Sequence, residues 1–190
     1  MKSNHLLAIQ FGTLSVSAAL FERANDHCRI LEVIRRPLTH HLQTSADELV
    51  RSSLAECYAM LSLMKKKHRT ICPSIIRVGI ASPYVLSRTE HVENIYSDSR
   101  VFVSADVEEL LATGKQQFFN ALPPHGPLTV IEAIPMAFTV NGYSTRHAIG
   151  QTGKQLASDI RYSAIPETFG NAILAQFELP GDKHPTYLPH

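Results

Sequence analysis

Histidine and cysteine are the residue types in this sequence with the widest chemical range, and neither forms a catalytic or metal-binding pattern. The ten histidines are scattered, and the adjacent pair His40-His41 has no third ligand at useful spacing, so we interpret it as solvated surface on a loop. The three cysteines, Cys28, Cys57 and Cys72, show no CxxC spacing, which speaks against a zinc site and a disulfide framework. Ser/His/Asp ordering, GxSxG and paired carboxylates in an apolar setting are also missing. A hydrolase with its own active site is therefore the least supported class.

Charge and hydropathy narrow the choice of partners. Eighteen Lys+Arg against seventeen Asp+Glu give a net charge of +1, so nothing steers the chain toward nucleic acid or an anionic membrane. The sequence contains no signal peptide and no stretch of about 20 apolar residues, so we expect no direct membrane insertion. Unpaired cysteines suit a reducing compartment. We therefore expect a cytoplasmic protein that reaches the inner face of the membrane only through partners.

The first part of the chain predicts strands, a helix and a further strand, which is an α/β arrangement. A capping box from Ser45 to Glu48 begins a helix with one apolar stripe that ends near Arg69. The β-branched run Ile75–Ala81 has the length of a central strand. The strands before the helix form a meander with short turns, and they are Leu6–Phe11, Val16–Phe21 and Arg29–Arg35.

The second part of the chain has a different pattern. Leu86–Ile95 is polar and mixed, which is typical of an exposed strand, and Ser104 is expected to cap a helix with acidic residues in its first turn. Val130–Ile165 predicts two short strands, the turn Asn141-Gly142 and a third strand. A last helix is expected at Glu167–Phe177, and the tail that follows has no periodicity, so we expect a loosely held end.

The segment Val130–Ile165 resembles the part of FtsA, the bacterial cell-division actin homologue, that closes its small inserted subdomain. Asn141 stands where that family usually has aspartate, and Ala148 where proline is common. The resemblance extends over most of Leu6–Phe177 but spans only the N-terminal half of what FtsA comprises. The residues that carry it are Ile134-Pro135, Phe138, Val140, Asn141-Gly142, Ile149-Gly150, Gly153 and Leu156.

This resemblance implies a fold and a division into domains. The implied fold class is α/β, with α+β in the insert: a partial actin-like (ribonuclease H-like) domain carrying an inserted strand-helix-strand-strand subdomain. Residues 1–83 plus 164–190 would form the actin-like half-domain, and residues 84–163 the FtsA-type subdomain. On this interpretation the sequence stops before the second half of an actin fold, which supplies the facing side of a nucleotide site.

The resemblance also implies a first phosphate loop at the turn near the start of the chain. Gly12 and Thr13 match the family's pattern, and Ser15 stands where FtsA proteins commonly have lysine. Gln10 replaces the acidic residue that holds magnesium through water in this family. ATP with magnesium is therefore a possible cofactor, no catalytic residue is implied, and efficient hydrolysis is not expected. A tight β-turn that binds no ligand is the alternative.

The function implied is that of an FtsA-like cell-division or assembly protein that acts through protein–protein contacts. Its partners would be proteins of the division machinery or further copies of the chain. Two alternatives stay open: an ATP-binding actin-like ATPase, and a scaffold of the type IV pilus machine from the PilM-like branch of the same superfamily. The candidate contact residues lie on the exposed strand and on a later loop, and they are Arg88, Glu90, His91, Glu93, Arg146 and His147.

Overall fold

The computed structural model describes residues 4–24, 27–39, 45–122, 126–176 and 186–189. The pair His40-His41 lies outside these residues. The chain divides into two compact units. Unit 1 comprises Met1–Val85 and Ile165–His190, and unit 2 comprises Leu86–Ala164.

Three helices and nine strands make up the described part of the chain. In chain order they are β1 (Asn4–Phe11), β2 (Ser15–Ala24), β3 (His27–Pro37), α1 (Ala46–Lys67), β4 (Ile75–Ile80), β5 (Leu86–Val101), α2 (Ser104–Asn120), β6 (Leu128–Val140), β7 (Tyr143–Thr145), β8 (Thr152–Pro166), α3 (Glu167–Gln176) and β9 (Thr186–Pro189).

Unit 1 contains a five-stranded sheet with strand order β3-β2-β1-β4-β9. The first three strands form the predicted antiparallel meander, and β4 lies parallel to β1. Leu7, Ile9 and Phe11 alternate along β1 and are buried, because every second side chain of a strand points to the same face. Helix α1 packs against β2 and β3, so the sheet has a helix on one face.

Helix α1 begins where the sequence predicts. The Ser45 side chain accepts a hydrogen bond from the Glu48 backbone N–H at 3.2 Å, which satisfies one of the free amides of the first turn. The run Lys65, Lys66 and Lys67 occupies the last turn, where positive charge is favourable next to the helix dipole. This basic run is therefore explained by the helix end alone.

An aromatic cluster forms part of the core of unit 1. The Phe169 ring of α3 lies 5.2 Å from the rings of both Phe11 and Tyr84, measured between centroids. Burial raises the pKa of the Tyr84 hydroxyl. The cluster fixes α3 against the end of β1, which is the strand that leads into the predicted phosphate turn.

Unit 2 contains a four-stranded sheet with strand order β5-β8-β6-β7 and the helix α2. The Tyr162 hydroxyl donates a hydrogen bond to the Leu111 carbonyl at 2.7 Å, which ties β8 to α2. Gly114 of α2 faces the same region: a β-carbon there would lie 2.7 Å from Val92 Cγ2 and in contact with the Tyr162 hydroxyl. The helix can approach the β5–β8 pair this closely only because position 114 has no side chain.

The turn after β6 matches its sequence prediction. Asn141 and Gly142 both have positive φ, 50° and 81°, as the two-residue hairpin turn requires. The Asn141 side-chain oxygen accepts hydrogen bonds from the backbone N–H groups of Lys154 and Gln155 at 2.9 and 3.1 Å. The Asn141 side chain therefore connects the turn to β8.

Three sequence expectations about local structure are wrong. Helix α2 has Val103 rather than Ser104 at its N-cap, and the Asp106 carboxylate accepts the Val103 backbone N–H at 2.8 Å. Strand β6 runs without interruption through Pro135. The tail is not entirely loose, because Thr186–Pro189 pairs in parallel with β4. Backbone pairing of this kind needs no alternation of polar and apolar side chains.

Candidate phosphate turn and interaction strand

The turn between β1 and β2 is closed by hydrogen bonds within the chain. The Gly12 N–H donates to the Ser15 carbonyl at 2.9 Å. The Thr13 hydroxyl donates to the Ser82 carbonyl at 2.7 Å, and the Arg35 Nε donates to the Ser15 hydroxyl at 2.9 Å. All three residues predicted to contact phosphate are thus brought together, and each has a polar group that bonds within the protein.

Arg35 is the residue of this turn that the sequence interpretation missed. It lies on β3, where its register partner is Ser17 and where Ser15 faces Pro37. Its guanidinium places a positive charge beside the turn. The meander prediction placed β3 alongside β2, but it did not specify the register that brings Arg35 beside the turn. Gln10, also predicted to lie here, is exposed near the end of β1.

Two of the candidate contact residues, Arg88 and Glu90, lie on the face of β5 that packs against α2. Arg88 Nε lies 2.7 Å from Glu90 Oε1, and the two side chains are 51% and 11% exposed. Arg88 also donates to the Ala121 carbonyl at the end of α2, at 3.4 Å. The pKa of the Tyr162 hydroxyl is raised by burial and then by the negative charge of Glu90. This pair therefore joins the strand to its own helix.

His91 and Glu93 lie on the opposite face of β5. His91 Nδ1 is 2.7 Å from Asp159 Oδ1 of β8, and both side chains are more than half exposed. Glu93 accepts a hydrogen bond from the Gln155 side chain of β8. Both contacts are cross-strand pairs on a solvent-facing surface, so they contribute little to stability and leave the surface available for a partner.

Arg146 and His147 lie at the other side of unit 2. They follow β7, which is the edge of the sheet opposite β5. Both are exposed, and the His147 backbone N–H donates to the Thr145 hydroxyl at 3.3 Å. Arg146 lines a cavity of about 260 Å³ together with Met136. The six predicted contact residues therefore do not form one surface: two lie on the side of β5 that faces α2, two on its opposite side, and two beyond the other edge of the sheet.

A buried polar network on β8 and β6 was not foreseen from the sequence. The Ser163 hydroxyl donates to Glu132 Oε2 at 2.9 Å and lies 2.8 Å from the Ser87 hydroxyl. Arg161 is 3.4 Å from Glu132 Oε1, so the buried carboxylate has both a hydrogen bond and an opposite charge. Both partners of Glu132 lie on β8, 29 and 31 positions away in the chain, so no local pattern identifies them. The network joins three strands of the sheet.

Three observations on the described residues concern metal, thiol and membrane chemistry. Among them no group of three or more His, Cys, Asp or Glu side chains is arranged to hold a metal ion. Burial raises the pKa of the Cys57 thiol to about 12, so this thiol is protonated at neutral pH. In the same part of the chain no helix is both long and apolar enough to cross a bilayer.

The structure of this chain is similar to parts of two solved structures, whereas its sequence has no match. No protein-family model and no curated protein matches the sequence. A chain of a "PilM-PilN type IV pilus biogenesis complex" matches in structure with a TM-score of 0.55 and 11% sequence identity, over 90% of this chain and 43% of that chain. A Bacteroides thetaiotaomicron protein described as having an "actin-like ATPase fold and unknown function" matches with a TM-score of 0.45 and 11% identity, over 98% of this chain and 52% of that chain.

The class of fold follows from these observations. The chain has the α/β fold, with two sheets, that corresponds to part of an actin-like ATPase fold, as the sequence predicted. The described chain spans less than half the length of the pilus-complex chain that it matches. The likeness is one of fold, so activity and partners have to be argued from this chain's own residues.

Proposed function

We propose that this protein is an actin-like scaffold that acts through protein–protein contacts made by unit 2, with no efficient ATP hydrolysis. The observation that carries the proposal is β5: a long strand, Leu86–Val101, that lies at the edge of its sheet and carries charged side chains on both faces. An edge strand offers unpaired backbone groups for pairing with a partner strand. In this proposal unit 2 corresponds to the FtsA-type inserted subdomain and unit 1 to the actin-like half-domain.

The chemistry of the turn argues against hydrolysis. Phosphoryl transfer depends on placed charge, with an anion to hold magnesium and a cation to meet the phosphates. Gln10 is neutral and cannot supply the anion, and the Thr13 hydroxyl donates to the Ser82 carbonyl rather than pointing its proton at a ligand. We therefore expect no magnesium-dependent phosphate release above the buffer control. A saturable release of phosphate that the substitution Arg35→Ala abolishes would overturn this part of the proposal.

The biological process in which the scaffold works is the second part of the proposal. The sequence resemblance to FtsA favours cell division, and the fold likeness to a chain of the pilus complex favours the type IV pilus machine. Deleting the gene in the source bacterium separates them. Filamentous cells with normal pili would support the division role, whereas cells that divide normally but lack pili would support the pilus role. Normal division together with normal pili would count against both.

ATP binding without hydrolysis is the alternative function, and Arg35 is the observation that favours it. Its guanidinium lies beside the Ser15 hydroxyl and could meet a phosphate group there. Titration of the full chain with a fluorescent ATP analogue and magnesium tests this function. Tight saturable binding that is lost in Arg35→Ala, but retained in Arg51→Ala on α1, would favour the nucleotide-binding protein. If neither the unmodified chain nor either variant binds the ATP analogue saturably, the scaffold proposal is preferred.

A further inference from the structure

The regular part of β5 has one paired edge and one open edge. β8 pairs with it continuously from Leu86 to Ile95, and the register then shifts before pairing resumes at Arg100. β5 stands first in the strand order β5-β8-β6-β7, so among the described residues no strand pairs with its outer edge. The side chain of Ile95 is 76% exposed at this edge. An open, long edge of this kind is a template for another strand.

A second copy of the same strand imposes a strict geometric condition. When two identical strands pair in antiparallel orientation, a two-fold axis perpendicular to the sheet passes through one residue, which then faces itself. The residue one step before the axis faces the residue one step after it in the partner. Each possible register is therefore defined by its central residue, and the charges along the strand decide between the registers.

The polar pattern of β5 is complementary to itself around Val92, because a histidine ring nitrogen can donate a hydrogen bond to a carboxylate. In this register His91 faces Glu93 of the second copy, twice, and Glu90 faces Asn94. Centring the axis on Glu90, His91 or Glu93 instead places that residue opposite its own copy. Centring it on Thr89 would require Arg88 and Glu90, which already pair with each other on the side of α2, to bind across the contact instead. Opposite charges on directly facing residues stabilise a strand pair, whereas like charges destabilise it.

We propose that β5 pairs with β5 of a second copy of this chain around Val92, which joins the two four-stranded sheets into one. The paired segment is Thr89–Ile95, so the exposed Ile95 side chain faces Thr89 of the second copy. This inference rests on the proposed scaffold function and gives its contact strand a partner. The contact is small compared with stable dimer interfaces, so the dimer is weak and depends on protein concentration.

Disulfide trapping tests the register directly. Facing residues of an antiparallel pair have Cα atoms about 4.5–5.5 Å apart, which is within the reach of a disulfide. His91→Cys and Glu93→Cys are made separately in a chain whose exposed cysteines, Cys28 and Cys72, are changed to serine. Neither variant alone is expected to form a disulfide-linked dimer under mild oxidation. An equimolar mixture of the two variants is expected to form one.

The outcomes of the trapping experiment are distinct. Self-linking of His91→Cys would place the axis at position 91, self-linking of Glu93→Cys would place it at position 93, and either result overturns the proposal. Absence of any link in the mixture overturns it as well. In the expected result, about half of the dimers in the mixture contain one of each variant and are linked.

Charge reversal with rescue tests the chemistry of the contact. Sedimentation velocity of the full chain over a concentration series is expected to show a monomer–dimer equilibrium that Glu93→Lys weakens at least tenfold, because the carboxylate that faces His91 is replaced by an ammonium group that cannot accept a hydrogen bond. The double variant His91→Glu with Glu93→Lys restores opposite charges and is expected to dimerise within about threefold of its reference chain. Position 91 also faces Asp159 of β8 within the same chain, so Asp159→Asn is included in the double variant and in its reference chain to avoid two facing carboxylates.

The control is Glu109→Lys, which makes the same change in charge on an exposed position of α2 and should leave dimerisation unchanged. A chain that stays monomeric up to millimolar concentration overturns the proposal and assigns the edge to a strand from a different protein. Dimerisation that Glu93→Lys does not weaken also overturns it. Neither result affects the gene-deletion and phosphate-release tests of the scaffold function.

Discussion

The close approach of α2 to the sheet of unit 2 predicts that Gly114→Ala destabilises the protein, although alanine is the better helix former. Gly114 is a buried residue in the interior of α2. The added methyl group would lie 2.7 Å from Val92 Cγ2 and in contact with the Tyr162 hydroxyl. The contacts with Val92 and with Tyr162 are both closer than a real β-carbon allows, so either the helix or the sheet has to move.

Two opposing terms set the magnitude. Replacing glycine by alanine in a helix interior gains about 1 kcal/mol from backbone entropy and propensity. Inserting a methylene-sized group into a packed core costs about 1–3 kcal/mol. The two atoms in the way belong to a buried valine and to a tyrosine whose hydroxyl is held by the Leu111 carbonyl, so neither can turn aside freely. We therefore expect a net loss of about 1–2 kcal/mol in the free energy of unfolding.

Urea denaturation followed by circular dichroism measures this loss. Lys115→Ala, at the next position of α2 and exposed, is the matched control and should change stability by no more than about 0.5 kcal/mol. Tyr162→Phe removes the nearest obstructing atom, so the double variant with Gly114→Ala should lose less than the sum of the two single variants. A Gly114→Ala protein that is more stable than the unmodified chain would refute this account of how the helix packs.

Three further predictions concern other contacts. A thiol reagent at neutral pH should modify two cysteines in the folded protein and the third, Cys57, only in denaturant. Cys57 is buried, and burial raises the pKa of its thiol to about 12. Rapid reaction of all three thiols in the folded protein would contradict this prediction. Hydrogen bonds from Lys67 and then His68 lower the pKa of Glu32 below its ordinary value of 4.5. The stability that Glu32→Gln removes should therefore be fully present above about pH 5 and disappear as the solution is acidified. A loss of stability that does not depend on pH in urea titrations would contradict this pairing. Ser45→Ala should cost about 1 kcal/mol of unfolding free energy because the first turn of α1 loses its acceptor, and an unchanged urea midpoint would count against the cap.

The sequence predicted best where local pattern decides structure. The alternation along β1, the capping box at Ser45 and the Asn141-Gly142 turn each depend on residues close in the chain. The start of α2 was misassigned because a serine before acidic residues suits the N-cap, yet the Asp106 side chain supplies the cap one position earlier. Local signals of similar strength competed there, and packing decided between them.

The parts that could not be predicted depend on residues distant in sequence. Arg35 lies beside Ser15 only because the meander folds β3 back alongside β2. The division of the contact strand into two faces required knowing that α2 packs on the side of Arg88 and Glu90. The polar character of this strand was predictable from its residues, but no local pattern indicates which edge of the sheet has no neighbouring strand.

The two ends of unit 2 lie next to each other, and this affects how such a protein can change during evolution. Leu86, where the unit begins, is paired directly with Ala164, where it ends. The chain therefore leaves and re-enters unit 1 at neighbouring points, and a short linker would be long enough to close the gap. Replacing this unit by another of similar exit spacing would exchange the contact surface without redesigning the sheet that carries it, which suits evolution by cassette exchange.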